Sequence, residues 1–450
     1  MASIDGWTIA LVLVLAYAAA VFVLYRLKRL GPDRALSLFG PALMIKTRRG
    51  RGALDRIGRF RRFWSVAGDL GILLAGIAMV VIVAVLVLDA IIATQIPASA
   101  APSPQEALGI PGLNPIIPLG YGLVALIVGV VLHELLHGVV ARSQNIGVKS
   151  LGILWFVVPV GAFVEQDDEQ MMKAPRRHRD RVAAAGVLAN FALALLFFLT
   201  LAAVVSTSVQ PNANGVGIAY VVPSTPAANA SLAAGDIIVA FNGTPTPTNT
   251  ALLTLLADSK ANQTVSLTVY SVASRSTVTK SVVLAPLGSY TQRPEDSGKG
   301  VLGVSPEFLT PVQLKENLIS PGSSPRGALI GFTDWIVLPL AGLEPVAGTV
   351  QSFYHLSGPF ASVDPGAFWI FANLLYWLAW MNLLLGLSNA LPLFPLDGGL
   401  LFRDFTASIA SRFRRGWDAA RLDRFSGRAA AAASLLVLFL IVWQFVAPRL

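Results

Sequence analysis

The sequence predicts a polytopic α-helical membrane protein of about six transmembrane helices, interrupted by one small β-rich domain. Three observations lead there. Of the 450 residues, 54% are hydrophobic and only 13% charged, about half the charge of a soluble domain. Six runs reach the roughly 20 apolar residues that a bilayer crossing needs. The basic residues behind the net charge of +9 collect in short segments beside those runs, as the positive-inside rule describes. No nucleic-acid-reading motif accompanies them. Cysteine is absent, which excludes disulfides, thiolate metal sites and a cysteine nucleophile.

In chain order the expected spans are 7–25, 70–94, 116–141, 182–206, 367–388 and 429–447. The first lacks a preceding basic region and a small-residue cleavage site, so it reads as a retained span rather than a removable signal. It is followed by "YRLKRLGPDRALSLFGPALMIKTRRGRGALDRIGRFRRF", a basic loop that belongs in the cytoplasm. That loop reads either as topology plus anionic-lipid contact or as a docking surface for a cytoplasmic regulator. Segment 95–115 has no Lys or Arg and belongs outside, whereas "KAPRRHRDR" and "RDFTASIASRFRRGWDAARLDRFSGR" belong inside. Six crossings satisfy these assignments, with both termini outside the cytoplasm. Stretch 328–350 contains Asp334, Pro339, Glu344 and Pro345. A seventh crossing there would move the last basic loop outside, so it reads as an interfacial or re-entrant element on the outer side.

Residues 212–287 change character, with alternation such as "QTVSLTVYSV", an Asn242–Gly243 turn and a helix near "TALLTLLA". This is a small β-rich domain placed outside, where the sequons at Asn229, Asn242 and Asn262 also fall. The expected organisation is two helices and a basic loop (1–95), a first membrane half (116–208), the β-rich domain, a linker with the interfacial segment (288–366) and a second membrane half (367–450).

The chemistry sits in "VGVVLHELLHGVVA", residues 128–141. An ionised carboxylate at mid-bilayer costs about 2.5–3.5 kcal/mol even on insertion scales, so Glu134 needs a reason to be there. Residues four apart share a helix face, so His133 and His137 can offer two nitrogens to one zinc ion. Glu134 then lies beside the open position, where it can take a proton from water whose pKa zinc lowers to about 7. At 1.5 Å per residue, His133 lies about 21 Å below Leu119, inside the bilayer. The bland alternative is a pair of core histidines with Glu134 as ionic partner. A third ligand is required, and "NALPLFPLDGG" (389–399) offers Asp397 in a segment broken by Pro392 and Pro395. Irregular backbone at membrane depth is tolerated only against protein or a wet cavity. Alone, this segment could equally be a helix-ending turn.

HExxH in one span with "NxxPxxxxDG" in a later one resembles the site-2 protease family of intramembrane zinc metalloproteases. "GAFVEQDD" (161–168) is similar to part of that family's membrane-embedded β-hairpin, and Gly186 with Asn190 in "GVLANF" to its Gly-x-x-x-Asn signature. "LSGPF" (356–360) looks like another family landmark, and "PSTPAANASLAAGDIIVAFNGT" resembles a PDZ domain. The resemblance covers about 116–447 and leaves the first two spans without a counterpart. It implies one zinc per chain held by His133, His137 and Asp397, with Glu134 as general base and later proton donor. It makes Asn389 and Asn190 substrate-binding or oxyanion residues, and Gly186, Pro392, Gly398 and Gly399 structural members of the motifs. The implied partners are transmembrane protein substrates, unwound before cleavage, a peptide ligand of the PDZ-like domain, and the lipid bilayer. The hairpin around 151–165 could receive the unwound substrate as an added strand.

Glu165 reads either as a hairpin-ending residue or as a gate beside the site, His178 as a solvated loop residue, and His355 as structural. Asp89 can reach the headgroups. The alternatives to an intramembrane protease are a surface-acting membrane zinc peptidase and an inactive PDZ-bearing scaffold. A transporter finds no support in any repeat between the halves of the chain.

Overall fold

The computed structural model describes residues 6–31, 34–107, 109–307, 309–315, 348–414 and 416–450. Stretch 328–350, expected to be re-entrant, lies outside the described residues up to 347. Two compact units divide the chain: Met1–Leu196 with Leu378–Leu450, and Phe197–Trp377.

In the first unit, helix α1 (Gly6–Arg26) leads to strands β1 (Leu36–Phe39) and β2 (Ala42–Thr47), α2 (Arg51–Gly58) and α3 (Arg61–Ala93). Then come α4 (Leu119–Ser143), β3 (Val148–Phe156), β4 (Val158–Gln166), α5 (Asp168–Lys173) and α6 (Arg176–Ser208), of which this unit holds the first part. The end of α7 (Pro365–Asn389), α8 (Asp397–Phe413) and α9 (Ala419–Val446) complete it. Helices α3, α4, α6, α7 and α9 are long and apolar enough to cross a membrane, and α1 carries a shorter apolar stretch, Leu11–Arg26, where the first span is expected. Extended Pro118 opens α4. Asn145, at φ +63°, ends it in the left-handed conformation that caps many helices.

Helices α3 and α6 meet through small residues, as membrane helices do when backbones must approach. Gly68, Gly71, Ala75 and Ala78 are buried along α3. A Cβ on Gly71 would stand 3.1 Å from the Ala184 carbonyl oxygen and 3.3 Å from Leu188 Cβ. Arg177 and Arg181 at the start of α6 each hold Asp69 of α3 at 2.8 Å.

The basic loop after α1 departs from expectation, because it is folded rather than a plain connection. Residues 36–47 form a hairpin around Gly40, at φ +55°, and β2 pairs with β3 from Leu43 opposite Trp155 to Thr47 opposite Leu151. The result is an antiparallel sheet in the order β1-β2-β3-β4. Gly152 is required at the β2–β3 contact, where a Cβ would lie 2.2 Å from the Ile45 carbonyl oxygen. The sequence signal was Gly40–Pro41 between two short apolar runs, a turn signature obscured by the surrounding charge. A second departure is α8, a 17-residue helix starting at Asp397 in a stretch expected to be loop.

The second unit contains a six-stranded sheet in the order 276–283, 264–271, 237–241, 216–221 and 304–306, with 244–245 paired to 237–241. Val216, Ile218, Ile238, Leu252, Leu267 and Val269 are among its core residues. The Asn242–Gly243 turn is present, both residues at positive φ, and the expected helix runs Asn249–Ala257 behind the N-cap Thr248. The sheet extends past residue 287, where a linker is expected, because Val304 pairs with Val221. His355, read as structural, has its Nδ1 3.0 Å from Asn212 Oδ1.

Overpacking a well-filled contact costs about 1–3 kcal/mol. Gly71→Leu therefore lowers the thermal midpoint of the detergent-solubilised protein. Gly76→Leu, at a position with open space around it, leaves the midpoint unchanged or raises it.

Candidate metal centre and catalytic site

Helix α4 places His133 and His137 one turn apart, both rings buried. Their Nε2 atoms stand 3.1 Å apart. The third member arrives from α8, with Asp397 Oδ2 at 3.2 Å from His133 Nε2 and 3.3 Å from His137 Nε2. Ligand atoms about 2.0–2.1 Å from a tetrahedral centre lie roughly 3.3 Å from one another, so this spacing suits a zinc ion. Asp397 Oδ2 is buried without a hydrogen-bond partner, as expected of an oxygen that faces a cation.

The far sides of both rings are fixed by α6. His137 Nδ1 is 2.6 Å from the Val182 carbonyl oxygen. A carbonyl only accepts, so Nδ1 carries the proton and Nε2 presents its lone pair to the cluster. His133 Nδ1 faces the carboxamide of fully buried Asn190 at 3.0 Å. The atom nearest the ring is Nδ2; when His133 Nε2 is a ligand, Nδ1–H needs an acceptor, and exchanging the two amide positions, which also gives the partnerless Oδ1 a bond, supplies it. Between these contacts α6 passes closest at Gly186. A Cβ there would stand 2.3 Å from His133 Cε1 and 2.5 Å from His137 Nε2. Glycine is required because a side chain would occupy the space of the two imidazole rings.

Asp397 depends on the broken segment before it. Ser434 of α9 accepts from the Phe394 amide at 3.1 Å, while its hydroxyl donates within α9 to the Ala430 carbonyl at 2.9 Å and lies 3.4 Å from the Pro392 carbonyl. A Cβ on Gly398 would lie 2.3 Å from the Ala390 and Leu391 carbonyl oxygens, and one on Gly399 2.9 Å from the Leu393 carbonyl. The reason for these glycines is therefore close backbone approach, where the sequence suggests conformational freedom. One and a half to two turns further along α8, Asp404 takes a bidentate grip from Arg179 of α6, with Nη2 at 2.9 Å from both carboxylate oxygens.

Glu134 is half-buried, and its Oε2 accepts from the Val164 amide of β4 at 3.2 Å. Among the described residues β4 is the edge of its sheet, so the glutamate touches an edge strand. Next to Val164, Glu165 accepts from the Ser150 hydroxyl and from Lys46 Nζ at 3.2 Å. Burial pushes its carboxyl up, but Ser150 and Lys46 outweigh that and hold it below the ordinary carboxylate range.

His133, His137, Asp397 and Asn190 thus come together, with Gly186 against them. Asn389 is turned back on its own helix, its Nδ2 donating to the Leu385 carbonyl at 2.9 Å. Three parts had no distinguishing sequence signal. The Val182 carbonyl carries no side-chain signature, and Arg179 and Lys46 lie in basic segments whose charge has a sufficient explanation in membrane topology.

The sequence profile of peptidase family M50 matches residues 121–420. An uncharacterized protein of Methanocaldococcus jannaschii is 26% identical over 384 residues, 83% of this chain and 80% of the relative. A provisionally named zinc metalloprotease of Nostoc sp. PCC 7120 is 27% identical over 323 residues, 62% of this chain and 83% of its own. Over a shorter stretch of 81 residues, 18% of this chain and 19% of the relative, identity reaches 40% with Rip3 of Mycobacterium tuberculosis, also provisionally named a zinc metalloprotease. Zinc is the cofactor these names carry, and the His–His–Asp cluster is compatible with it. With two thirds of its length matched, the chain belongs to peptidase family M50, the site-2 protease family that its motifs resemble.

Proposed function

We propose that this integral membrane protein is an intramembrane zinc metalloprotease. It hydrolyses peptide bonds within or near transmembrane segments of membrane proteins, as a step of regulated intramembrane proteolysis. The observation that carries this reading is the convergence of His133, His137 and Asp397 next to Glu134, on a helix apolar enough to span a bilayer. In this reading His133 Nε2, His137 Nε2 and an Asp397 oxygen hold one zinc ion, with a fourth position open. Bound there, zinc supplies Lewis acidity toward water and toward the scissile carbonyl. Glu134 takes a proton from water as the water oxygen bonds to the carbonyl carbon, then delivers it to the amine nitrogen as the C–N bond breaks. Asn190 acts through His133, as its orienting acceptor, rather than on substrate. Asn389 is assigned to the substrate strand or the oxyanion.

A helical substrate shields its carbonyls, so it must unwind before attack. The outer edge of β4 can take such a strand by backbone hydrogen bonding, and the Val164 contact puts that edge within reach of Glu134. The β-rich domain is assigned as PDZ-like, with a peptide ligand. Both termini and that domain lie outside the cytoplasm in this reading, and the active site lies toward the cytoplasmic side.

Zinc per chain in the purified protein is the first test. We expect about one ion in the parent and a large loss in both Asp397→Ala and His137→Ala. Retention by the Asp397 variant would refute the ligand set, and a zinc-free parent after resupply would favour the inactive scaffold. Glu134→Gln is expected to keep its zinc and to lose about 10²–10⁴-fold in hydrolysis of fluorescein-labelled casein. A Glu134→Gln variant of full activity would remove the general base from the mechanism. Asn190→Leu should weaken zinc affinity about 10–100-fold in competition with a chelator, and parent-like affinity would end its assignment as orienting residue.

A further inference from the structure

The family match begins at residue 121, yet a segment well before it is built into the site. Leu54 of α2 packs on the catalytic helix at Gly138, where a Cβ would stand 2.9 Å from Leu54 and 3.0 Å from Val164 of β4. Gly58 abuts the same helix, 3.0 Å from the Val139 carbonyl oxygen by the same measure, and Asp55 pairs with Arg142. On the other side β2 pairs with β3 over residues 43–47. Lys46, whose side chain is only 12% exposed, reaches past β3 to Glu165 of β4. Ser150 of β3 donates to the same carboxylate. Tyr17 of α1 donates to the Pro41 carbonyl at 2.7 Å and the Trp155 carbonyl at 3.1 Å, securing the hairpin.

We propose that residues 36–58 brace the catalytic elements from outside the family core. Lys46 is then a positioning residue that, through Glu165, fixes the β4 edge against Glu134. Two facts carry this inference. Glu165 directly follows Val164, whose amide holds Glu134, so a shift of Glu165 moves the strand that meets the general base. The lysine also spans a full strand to reach a partner on the far side, a long and sequestered reach for a residue whose only task is to mark a cytoplasmic loop. The part played by β4 in cleavage rests on the protease reading above, whereas the brace itself does not.

The test compares parent, Lys46→Met, Lys46→Arg and Glu165→Gln as full-length protein in detergent. It uses zinc content, amide hydrogen exchange, and kcat and KM for labelled casein. Lys46→Met is expected to keep its zinc and the slow exchange of 130–141, while exchange over 158–166 accelerates by about tenfold or more, as when one partner of a sequestered charge pair is removed. Its KM should rise by a similar factor with a smaller change in kcat. Lys46→Arg restores both readouts, and Glu165→Gln reproduces the faster exchange. Parent-like exchange over 158–166 in both Lys46→Met and Glu165→Gln would overturn the brace. A parent that holds zinc but leaves casein intact would count against the protease reading alone, since exchange still decides the brace. Global loss of protection in Lys46→Met passes the decision to Glu165→Gln, where only a local change supports the proposal.

Discussion

Three electron-pair donors held 3.1–3.3 Å apart in an apolar bundle are unfavourable neighbours unless a cation sits among them. That constraint sets the rest of the first unit. The donors come from two helices remote in sequence, α4 and α8, and a third, α6, must approach closely enough to orient both imidazoles. Close approach is incompatible with a side chain at the crossing, so residue 186 is glycine. Orientation needs one acceptor for each outer ring nitrogen, and α6 provides a backbone carbonyl at 182 and a carboxamide at 190. Moving α6 outward by the width of a methyl group would lengthen both contacts at once, leaving ring orientation to chance.

The side of the site away from α6 is built differently. There α4 meets a sheet whose edge strand supplies one amide to Glu134. Unpaired backbone groups are costly in hydrocarbon, and an edge strand has them along its outer side. An edge beside Glu134 is therefore tolerable only against water, protein or another extended chain. A dry apolar wall would satisfy the membrane more simply than a strand with a free edge.

How much of this was legible in the sequence depends on how local each cause is. HExxH is a one-turn pattern, and the two histidines could be assigned to one face from spacing alone. Asp397 is offered by its broken segment but settled only by resemblance, since its partners are more than 250 residues away and "LDGG" alone also describes a helix end. The alternating strands and the Asn242–Gly243 turn of the β-rich domain followed from short-range rules, but its strand at 304–306 did not, because three residues paired across a long excursion carry no periodicity. The hairpin at 36–47 was hidden by its company. Arg and Lys on both sides have a sufficient explanation in topology, and that charge masks the Gly40–Pro41 turn.

The arginines of "RRHRDR" make the same point in energetic terms. As topology signals they need only be present on one side of a membrane, and a solvated ion pair adds roughly 0–1 kcal/mol. Their side chains are not equally solvated. Arg177 is 70% exposed, whereas Arg181 is 12% and Arg179 28% exposed, each facing a carboxylate on a different helix. Partial burial weakens screening and makes loss of one partner more expensive. Arg181 therefore belongs to the seam between α3 and α6, and Arg179 to the setting of α8, whose first residue is Asp397. The same basic segment thus ties α6, which carries Val182 and Asn190, to α3 and to α8, which begins at Asp397.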